Sequence, residues 1–308
     1  MRQGAQTVNK LSPLASVSAT RDVLEAHGLA TKKALGQHFL INDGIVKRIC
    51  DVAAVSLGDV VLEVGPGIGT LSIALLQKAG FVVAVERDAD LPAVLANTCA
   101  QYTEKFAVIN KDALELNETD LRQVLEGQLP NKFVANLPYA VAATLVLDYF
   151  EHLPCIESAT VMVQKEVADR MCAKPGTKAY GAYTIKLSLF ARPVDRFSVG
   201  TSNFFPPPRV ESAVLRLDRC PVCDSAGQPC SSEVVQAACT MADAAFATRR
   251  KTILNSCKSY FEAKGVAGQS VAQAIPHILE QAGIDPKLRG ETLSPQDFLR
   301  LGAAYMSF

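Results

Sequence analysis

The stretch Asp59 to Val64 (DVVLEV) runs into Gly65-Pro66-Gly67-Ile68-Gly69-Thr70 and then into a helical pattern from Leu71 to Lys78. A β-branched apolar run, a glycine-rich turn and a helix in direct succession commit a chain to a parallel sheet covered by helices. The alternation continues downstream. Strands are expected at Phe81–Val85, Phe106–Asn110, Lys132–Ala135 and Ser158–Val163, and helices at Asp43–Ala54, Val141–Phe150 and Lys165–Ala173. Tyr183–Phe190 fits either element, and Phe197–Val199 and Ala213–Leu217 read as late strands. Upstream, a short helix is expected from Asp22, closed by Gly28. From Glu233 onward the pattern is helical, over Val234–Ala247, Thr252–Phe261, Val271–Ala282 and Pro295–Tyr305, with Ser294 an N-cap ahead of Pro295. The sequence therefore predicts an open α/β sheet followed by a smaller all-helical domain. No internal repeat is present.

Glycines at the first turn let a ligand approach the backbone closely, and the helix start behind them favours polar groups. The spacing is G-P-G-I-G rather than G-x-G-x-x-G, so the dinucleotide fingerprint is not met. Three acids follow three successive strands. Glu63, inside the first motif, suits a ligand with a positive amino group. Glu86, at the end of the next strand, can accept both hydroxyls of a ribose. Asp112, after the third, can accept from an adenine amine. Each acid alone reads better as a helix cap or a solvated strand end. Together they describe S-adenosylmethionine better than a pyrophosphate cofactor, which this much negative charge would repel.

The tetrapeptide Asn136-Leu137-Pro138-Tyr139 falls at the carboxyl end of an apolar strand, where open α/β sheets place their reactive groups. The Asn136 side-chain oxygen and the Leu137 carbonyl can accept the two N–H groups of an amine. Pro138 stiffens the turn, and Tyr139 offers a flat face for a base. Such a device suits the exocyclic amine of adenine, whose lone pair is delocalised into the ring. Two acceptors favour a pyramidal nitrogen, and a methylated ammonium loses its proton to water without a general base. The competing reading is an ordinary strand-to-helix turn. Further on, Asn203 to Ser212 sets Phe204 and Phe205 against three prolines, which reads either as a rigid wall for a stacked base or as a Pro-rich connector.

Among 308 residues, 31 basic side chains balance 31 acidic ones, so any nucleic-acid surface must come from local clustering. Arg249, Arg250, Lys251 and Lys258 form such a cluster, suited to phosphates or simply to solvent. No run approaches the ~18 apolar residues of a membrane span. Nine cysteines, an odd and scattered set, point to a reducing, cytoplasmic setting. Cys220-x-x-Cys223 is half a zinc site, but Cys230 and Cys239 are too widely split and no His is near, so an inserted loop is expected and no metal. Residues 1 to 21 carry three basic side chains and no acid, loosely like a transit segment. A polar, poorly ordered tail is the preferred reading, and the lack of an apolar core argues against secretion.

With these residues assembled, the sequence resembles the ribosomal RNA adenine dimethyltransferase family, in its small-subunit (KsgA/RsmA) group. The resemblance runs from about Thr31 to about Leu301. It is carried by Leu35-Gly36-Gln37-His38-Phe39-Leu40, Glu63-Val64-Gly65-Pro66-Gly67, Glu86, Asp112 and Asn136-Leu137-Pro138-Tyr139. Gln164-Lys165-Glu166-Val167, Lys178-Ala179-Tyr180-Gly181, Phe204 to Val210 with Ser212, Arg249-Arg250-Lys251 and Gly283-Ile284-Asp285-Pro286 complete it.

The resemblance implies a Rossmann-like class I methyltransferase domain that dimethylates N6 of two adjacent adenosines near the 3′ end of small-subunit RNA, using S-adenosylmethionine. It implies that His38, Leu40, Gly65, Glu86, Asp112 and Asn136 hold the cofactor. Asn136 and Leu137 would act at the target amine, with Tyr139 and Phe204 on the two faces of the base. Arg249, Arg250 and Lys251 would contact RNA. The family often has Asn at the position of His38, a change that a backbone contact survives and a side-chain contact does not. The Cys220 to Cys230 segment is outside the family pattern. Expected boundaries are a tail over 1–30, the methyltransferase domain over 31–217, a linker or insert over 218–232 and a helical RNA-contacting domain over 233–308. The expected partner is small-subunit RNA or a pre-30S-type particle, met by a monomer with no membrane attachment. Rival readings are a large-subunit RNA dimethyltransferase, a DNA adenine methyltransferase, which would more often have Pro in place of Leu137, and a factor that binds during ribosome assembly.

Overall fold

The computed structural model describes residues 10–30 and 37–308. Residues 1–9 of the expected tail, the expected domain start at Thr31, and Leu35-Gly36 of the first motif lie outside the described residues. The chain divides into two compact units. The first runs to Lys165 and resumes from Pro193 to Asp218; the second joins Glu166–Arg192 to Arg219–Phe308.

The first unit is built on a seven-stranded sheet. Its strands are β2 (Val60–Val64), β3 (Phe81–Glu86), β4 (Phe106–Asn110), β5 (Lys132–Asn136), β6 (Ser158–Gln164), β7 (Ala191–Val199) and β9 (Ser212–Arg219). Their order is β4-β3-β2-β5-β6-β9-β7. The first five in that order are parallel, and β9 runs antiparallel to β6. The parallel strands read as near-continuous apolar runs because helices cover both faces: Val61, Leu62, Val82, Val83, Ala84, Phe133 and Ala135 have no accessible surface.

The covering helices are α1 (Val17–Ala26), α2 (Asp43–Ala53), α3 (Thr70–Leu76), α4 (Leu91–Thr98), α5 (Glu118–Val124) and α6 (Ala142–His152). Every residue of α3 is buried, which fits its place directly behind the glycine turn. The sequence order reverses beside β2, whose neighbours are β3 on one side and β5 on the other. A crevice therefore opens at the carboxyl ends of β2 and β5, as at the switch point of any doubly wound sheet.

A two-residue ribbon accompanies the sheet. Strand β1 (Phe39–Leu40) pairs antiparallel with β8 (Phe204–Phe205), in the register Phe39 opposite Phe205 and Leu40 opposite Phe204. It ties residues 37–40 to the Pro-rich segment.

The second unit is helical: α7 (Lys165–Met171), α8 (Ala182–Phe190), α9 (Ser232–Phe246), α10 (Ile253–Glu262), α11 (Val266–Gln281) and α12 (Pro295–Met306). Small residues on α9, among them Ala237, Ala238, Ala242 and Ala245, let neighbours approach closely. A Cβ added at Gly302 of α12 would lie 2.6 Å from Ala238 N and from Val234 O. A division at Asp218 lies beside the expected cut at 217, while 166–192 group with the helical unit. The reason is burial, because Tyr180, Ile185 and Leu189 pack into the same core as Met241, Ile275 and Phe298. The expected insert at 218–232 closes as a short antiparallel turn, with Cys223 bridging Pro229 and Cys230 N–H donating to Val222 O at 2.8 Å. Gln296 of α12 donates to the Cys223 carbonyl at 3.0 Å. Among the described residues no group of three or more His, Cys, Asp or Glu is placed to hold a metal ion, and no helix is long and apolar enough to cross a membrane.

Candidate active site

A cavity of about 600 Å³ lies in the first unit, at the carboxyl ends of β2 to β5. Its floor is the turn after β2. Gly65 and Gly67 there have φ of +69° and +59°, conformations that favour glycine. A Cβ on Gly67 would stand 3.1 Å from the Phe39 ring, and one on Gly65 would stand 3.5 Å from Pro138. Phe39 and Pro138 thus flank a bare backbone, which a ligand can approach as a side chain would not allow.

Acids converge on this floor. Glu63 is 1% exposed, and its Oε2 has no hydrogen-bond partner among the described residues. Burial pushes its carboxyl up to about 8. Glu86, ending β3, is also buried, and burial raises its carboxyl above the usual range against the pull of backbone N–H donors. It accepts from Asp88 N–H at 2.8 Å and from Gly67 N–H at 3.4 Å. Asp112 follows β4; its Oδ1 caps the next turn by accepting from Leu114 N–H at 3.1 Å, and its Oδ2 lies 3.3 Å from Arg87 Nη1.

The opposite wall is the turn after β5. Leu137 N–H donates to the Met162 carbonyl at 3.1 Å, fixing the turn on β6. The Asn136 side-chain N–H donates to the His38 backbone carbonyl at 3.2 Å. That bond fixes which end of the amide is which: the nitrogen is spent on the protein, and Oδ1 stays available as an acceptor. Tyr139 is anchored at its far end, its hydroxyl 2.7 Å from the Ser212 hydroxyl. Burial raises its phenol above the usual value. On its ring lies the His38 imidazole, stacked with centroids 5.8 Å apart and planes 26° from parallel. His38 Nδ1 is 2.8 Å from the Pro206 carbonyl, which can only accept.

The structure brings together His38, Leu40, Gly65, Glu86, Asp112, Asn136, Leu137 and Tyr139 on the lining of this cavity. Phe204 is the exception. It is 2% exposed and sits in the core with Leu40, Val46 and Ile49. It pairs opposite Leu40 in the ribbon. In the second unit, Arg249 is committed internally: its guanidinium pairs with Glu291 at 3.0 Å and donates to the Thr177 carbonyl at 3.1 Å. Arg250 and Lys251 are exposed.

Reading the sequence alone gave no role to Arg87, Lys111 or Gln164, which also line the cavity. All three follow or end a sheet strand, so the rule that located Glu86 and Asn136 would have found them. Gln164 belongs to a motif that carries the family resemblance, with no role attached to it there; Arg87 and Lys111 belong to none.

The chain matches the family described as ribosomal RNA adenine dimethylase over residues 28–299. It is 39% identical over 306 residues to the ribosomal RNA small subunit methyltransferase A of Shouchella clausii, covering 97% of this chain and 98% of that one. With the enzyme of the same name from Thermobifida fusca the identity is 40% over 278 residues, 89% and 90% of the two chains. Among solved structures, a dimethyladenosine transferase from Plasmodium falciparum superposes with a TM-score of 0.68 at 25% identity, over 86% of this chain and 96% of that one. The 23S rRNA methyltransferase ErmE shares the fold, with a TM-score of 0.60 at 23% identity over 87% and 99%. The first unit has the Rossmann-like fold of class I methyltransferases, with a helical region after it, and the chain belongs to the ribosomal RNA adenine dimethylase family.

Proposed function

We propose that this enzyme transfers methyl groups from S-adenosylmethionine to N6 of adenosine in small-subunit ribosomal RNA, twice per base, at two adjacent adenosines near the 3′ end. The carrying observation is the Asn136 amide, pinned through its nitrogen to the His38 carbonyl so that its oxygen is left to accept. The small-subunit specificity is supported by relatives at 38–40% identity that are ribosomal RNA small subunit methyltransferases A.

The residues present fit the cofactor. A bare glycine floor admits its methionine portion, and the unpartnered, buried Glu63 oxygen matches an ammonium group. Glu86 suits the ribose hydroxyls and Asp112 the adenine amine, with His38 and Leu40 closing the N-terminal side. When bound, S-adenosylmethionine supplies an electrophilic methyl carbon. The chain's own part is orientation. Asn136 Oδ1 and the Leu137 carbonyl accept the two N–H groups of the target amine and turn its lone pair away from the ring. Tyr139 holds the base by stacking. The base must leave its helix, which costs a few kcal/mol and is easier in a loop. No side chain is needed as a general base, because the methylated ammonium is acidic enough for water.

Arg250 and Lys251, with Arg249 behind them, contact RNA phosphates. The protein acts as a monomer in the cytoplasm, on a small-subunit assembly particle. Mass spectrometry of RNA from unmethylated small subunits, after incubation with enzyme and S-adenosylmethionine, tests substrate, position and methyl count together. Two adjacent dimethyladenosines are expected. Methylation of large-subunit RNA or duplex DNA, with small subunits untouched, would overturn the assignment.

A further inference from the structure

We propose that Gln37 and Asp88 are positioning residues for the cofactor: the hydrogen bond between them latches residues 37–40 across the crevice and holds S-adenosylmethionine beneath a closed strap. The proposal rests on the reading that S-adenosylmethionine is the ligand of this cavity. The Gln37 side-chain N–H donates to Asp88 Oδ2 at 3.0 Å. One residue on, the His38 carbonyl accepts from the Asn136 amide at 3.2 Å. Asp88 stands in the turn between β3 and α4, and Asn136 ends β5. Strand β2 lies between those two strands in the sheet. Residues 37 and 38 are therefore tied to opposite banks of the crevice, and the segment crosses the glycine turn that ends β2. Phe39 marks the crossing. Its ring is 3.1 Å from the place a Gly67 Cβ would take, and it is buried with Ile68 of that turn and Leu91 of α4.

Asp88 is built to hold such a latch. It is 7% exposed, and its Oδ1 accepts from Asp90 N–H at 3.2 Å, which fixes the carboxylate within its own turn. The Asp88 backbone N–H donates to Glu86 Oε1 at 2.8 Å, and Glu86 Oε2 accepts from Gly67 N–H at 3.4 Å. Gln37, Asp88, Glu86 and Gly67 thus form one hydrogen-bonded chain that runs from the strap to the floor of the cavity. A ligand whose ribose sits on Glu86 meets that chain in its middle. One residue, Asp88, both orients the ribose acceptor and holds the strap above it. A hydrogen bond to a carboxylate is stronger than one between neutral groups, so the latch favours the closed strap. Gln37 is only half-buried, so this outer bond is the one that breaks when ligand enters or leaves.

The test measures S-adenosylmethionine binding to the full chain by calorimetry, and its association and dissociation rates by surface plasmon resonance. Gln37→Ala, Asp88→Ala and the double variant are compared with wild type. Loss of one hydrogen bond to a charged group should raise the dissociation constant roughly 10-fold in each single variant. The loss should lie in faster dissociation, with association no slower than in wild type. The double variant should bind no worse than the weaker single variant, because both changes remove the same bond. A role confined to stability would lower the melting temperature and leave the dissociation rate where it is. An unchanged dissociation constant in Gln37→Ala would overturn the proposal. So would a loss carried by slower association, or losses that multiply in the double variant. If Asp88→Ala does not fold, the dissociation rate of Gln37→Ala decides alone. If the wild-type chain binds no S-adenosylmethionine, the cofactor reading itself fails, an outcome visible before any variant is compared.

Discussion

The Asn136 side-chain N–H donates to the His38 backbone carbonyl at 3.2 Å, so a residue at the end of β5 takes its orientation from the segment beside β1. An amide is the one short side chain that can donate at one end and accept at the other. Asn136→Ala should leave the fold intact and lower methyl transfer by roughly 10²-fold or more, the usual loss when a positioned polar group is removed from a reacting centre. Asn136→Asp is the sharper variant. It keeps an acceptor oxygen but sets a second acceptor against the His38 carbonyl, so it should fail about as badly as Ala. Circular dichroism and single-turnover transfer on small subunits check both. An active Asp variant would show that acceptors alone suffice and that the His38 bond is incidental.

Glu63 gives a prediction about pH in the ligand-free protein. Its carboxyl is raised from 4.5 to about 8 by burial. Between those values the unfolded chain is ionised while the folded chain holds the proton, so the folded state binds more protons and stability falls as pH rises. Above about 8 both states are ionised and the loss is complete. Glu63→Gln keeps the shape and removes the titration. The stability gap in favour of the Gln variant should widen from pH 5 to pH 8, reach a few kcal/mol, and then level off. Thermal unfolding across that range measures it. The same variant should bind S-adenosylmethionine more weakly, because it offers an ammonium no charge.

Much of this site was legible in sequence because strand ends are legible. Glu86, Asp112 and Asn136 each follow an apolar β-branched run, and an open parallel sheet gathers such ends in one crevice. What escaped notice is what periodicity cannot carry. The β1–β8 ribbon has two residues per strand, too few to show alternation. The α5 pattern ETDLRQV buries only Leu121, so it shows no apolar stripe despite its Asn117–Asp120 capping box. Tyr183–Phe190 alternates apolar residues with Thr184, Lys186 and Ser188, a strand-like pattern in a segment that forms helix α8. Phe204 illustrates the limit most clearly. Its place in a motif says an aromatic is required, while only the packing around Val46 and Ile49 says that the ring is buried. The His38–Tyr139 stack joins residues far apart in the chain, and no local signal announces it.

In the helical unit, Gly302 marks the tightest contact. A Cβ there would meet the backbone of α9, 2.6 Å from Ala238 N and Val234 O. Backbone atoms inside a packed helix pair cannot rotate aside, so Gly302→Ala must separate α12 from α9. The intrinsic helix preference for alanine would favour the variant by nearly 1 kcal/mol, but overpacking costs about 1–3 kcal/mol and should win. Denaturant unfolding is expected to show net destabilisation. The exposed neighbour Ala303, changed to Ser, should stay within about 0.5 kcal/mol. A stabilised Gly302→Ala protein would mean that the two helices have room to spare.

The basic cluster divides into two kinds of side chain, and the division is testable. Arg249 bonds Glu291 and the Thr177 carbonyl, tying the loop that contains Lys174 and Lys178 to the turn after α9. Arg250 and Lys251 are exposed beside it. Arg249→Ala should cost up to about 1 kcal/mol, the range for a partly exposed ion pair, and should make the 174–181 loop more open to proteolysis. Arg250→Ala and Lys251→Ala should leave stability unchanged. Each should instead weaken binding to small-subunit RNA and reduce the slope of log affinity against log salt by about 0.7–0.9, the value for one lost phosphate contact. Binding titrations at several salt concentrations, paired with unfolding curves, separate the two effects. If Arg250 and Lys251 changed stability while the salt slope stayed fixed, the cluster would be a structural feature of the helical unit, and RNA would be gripped elsewhere.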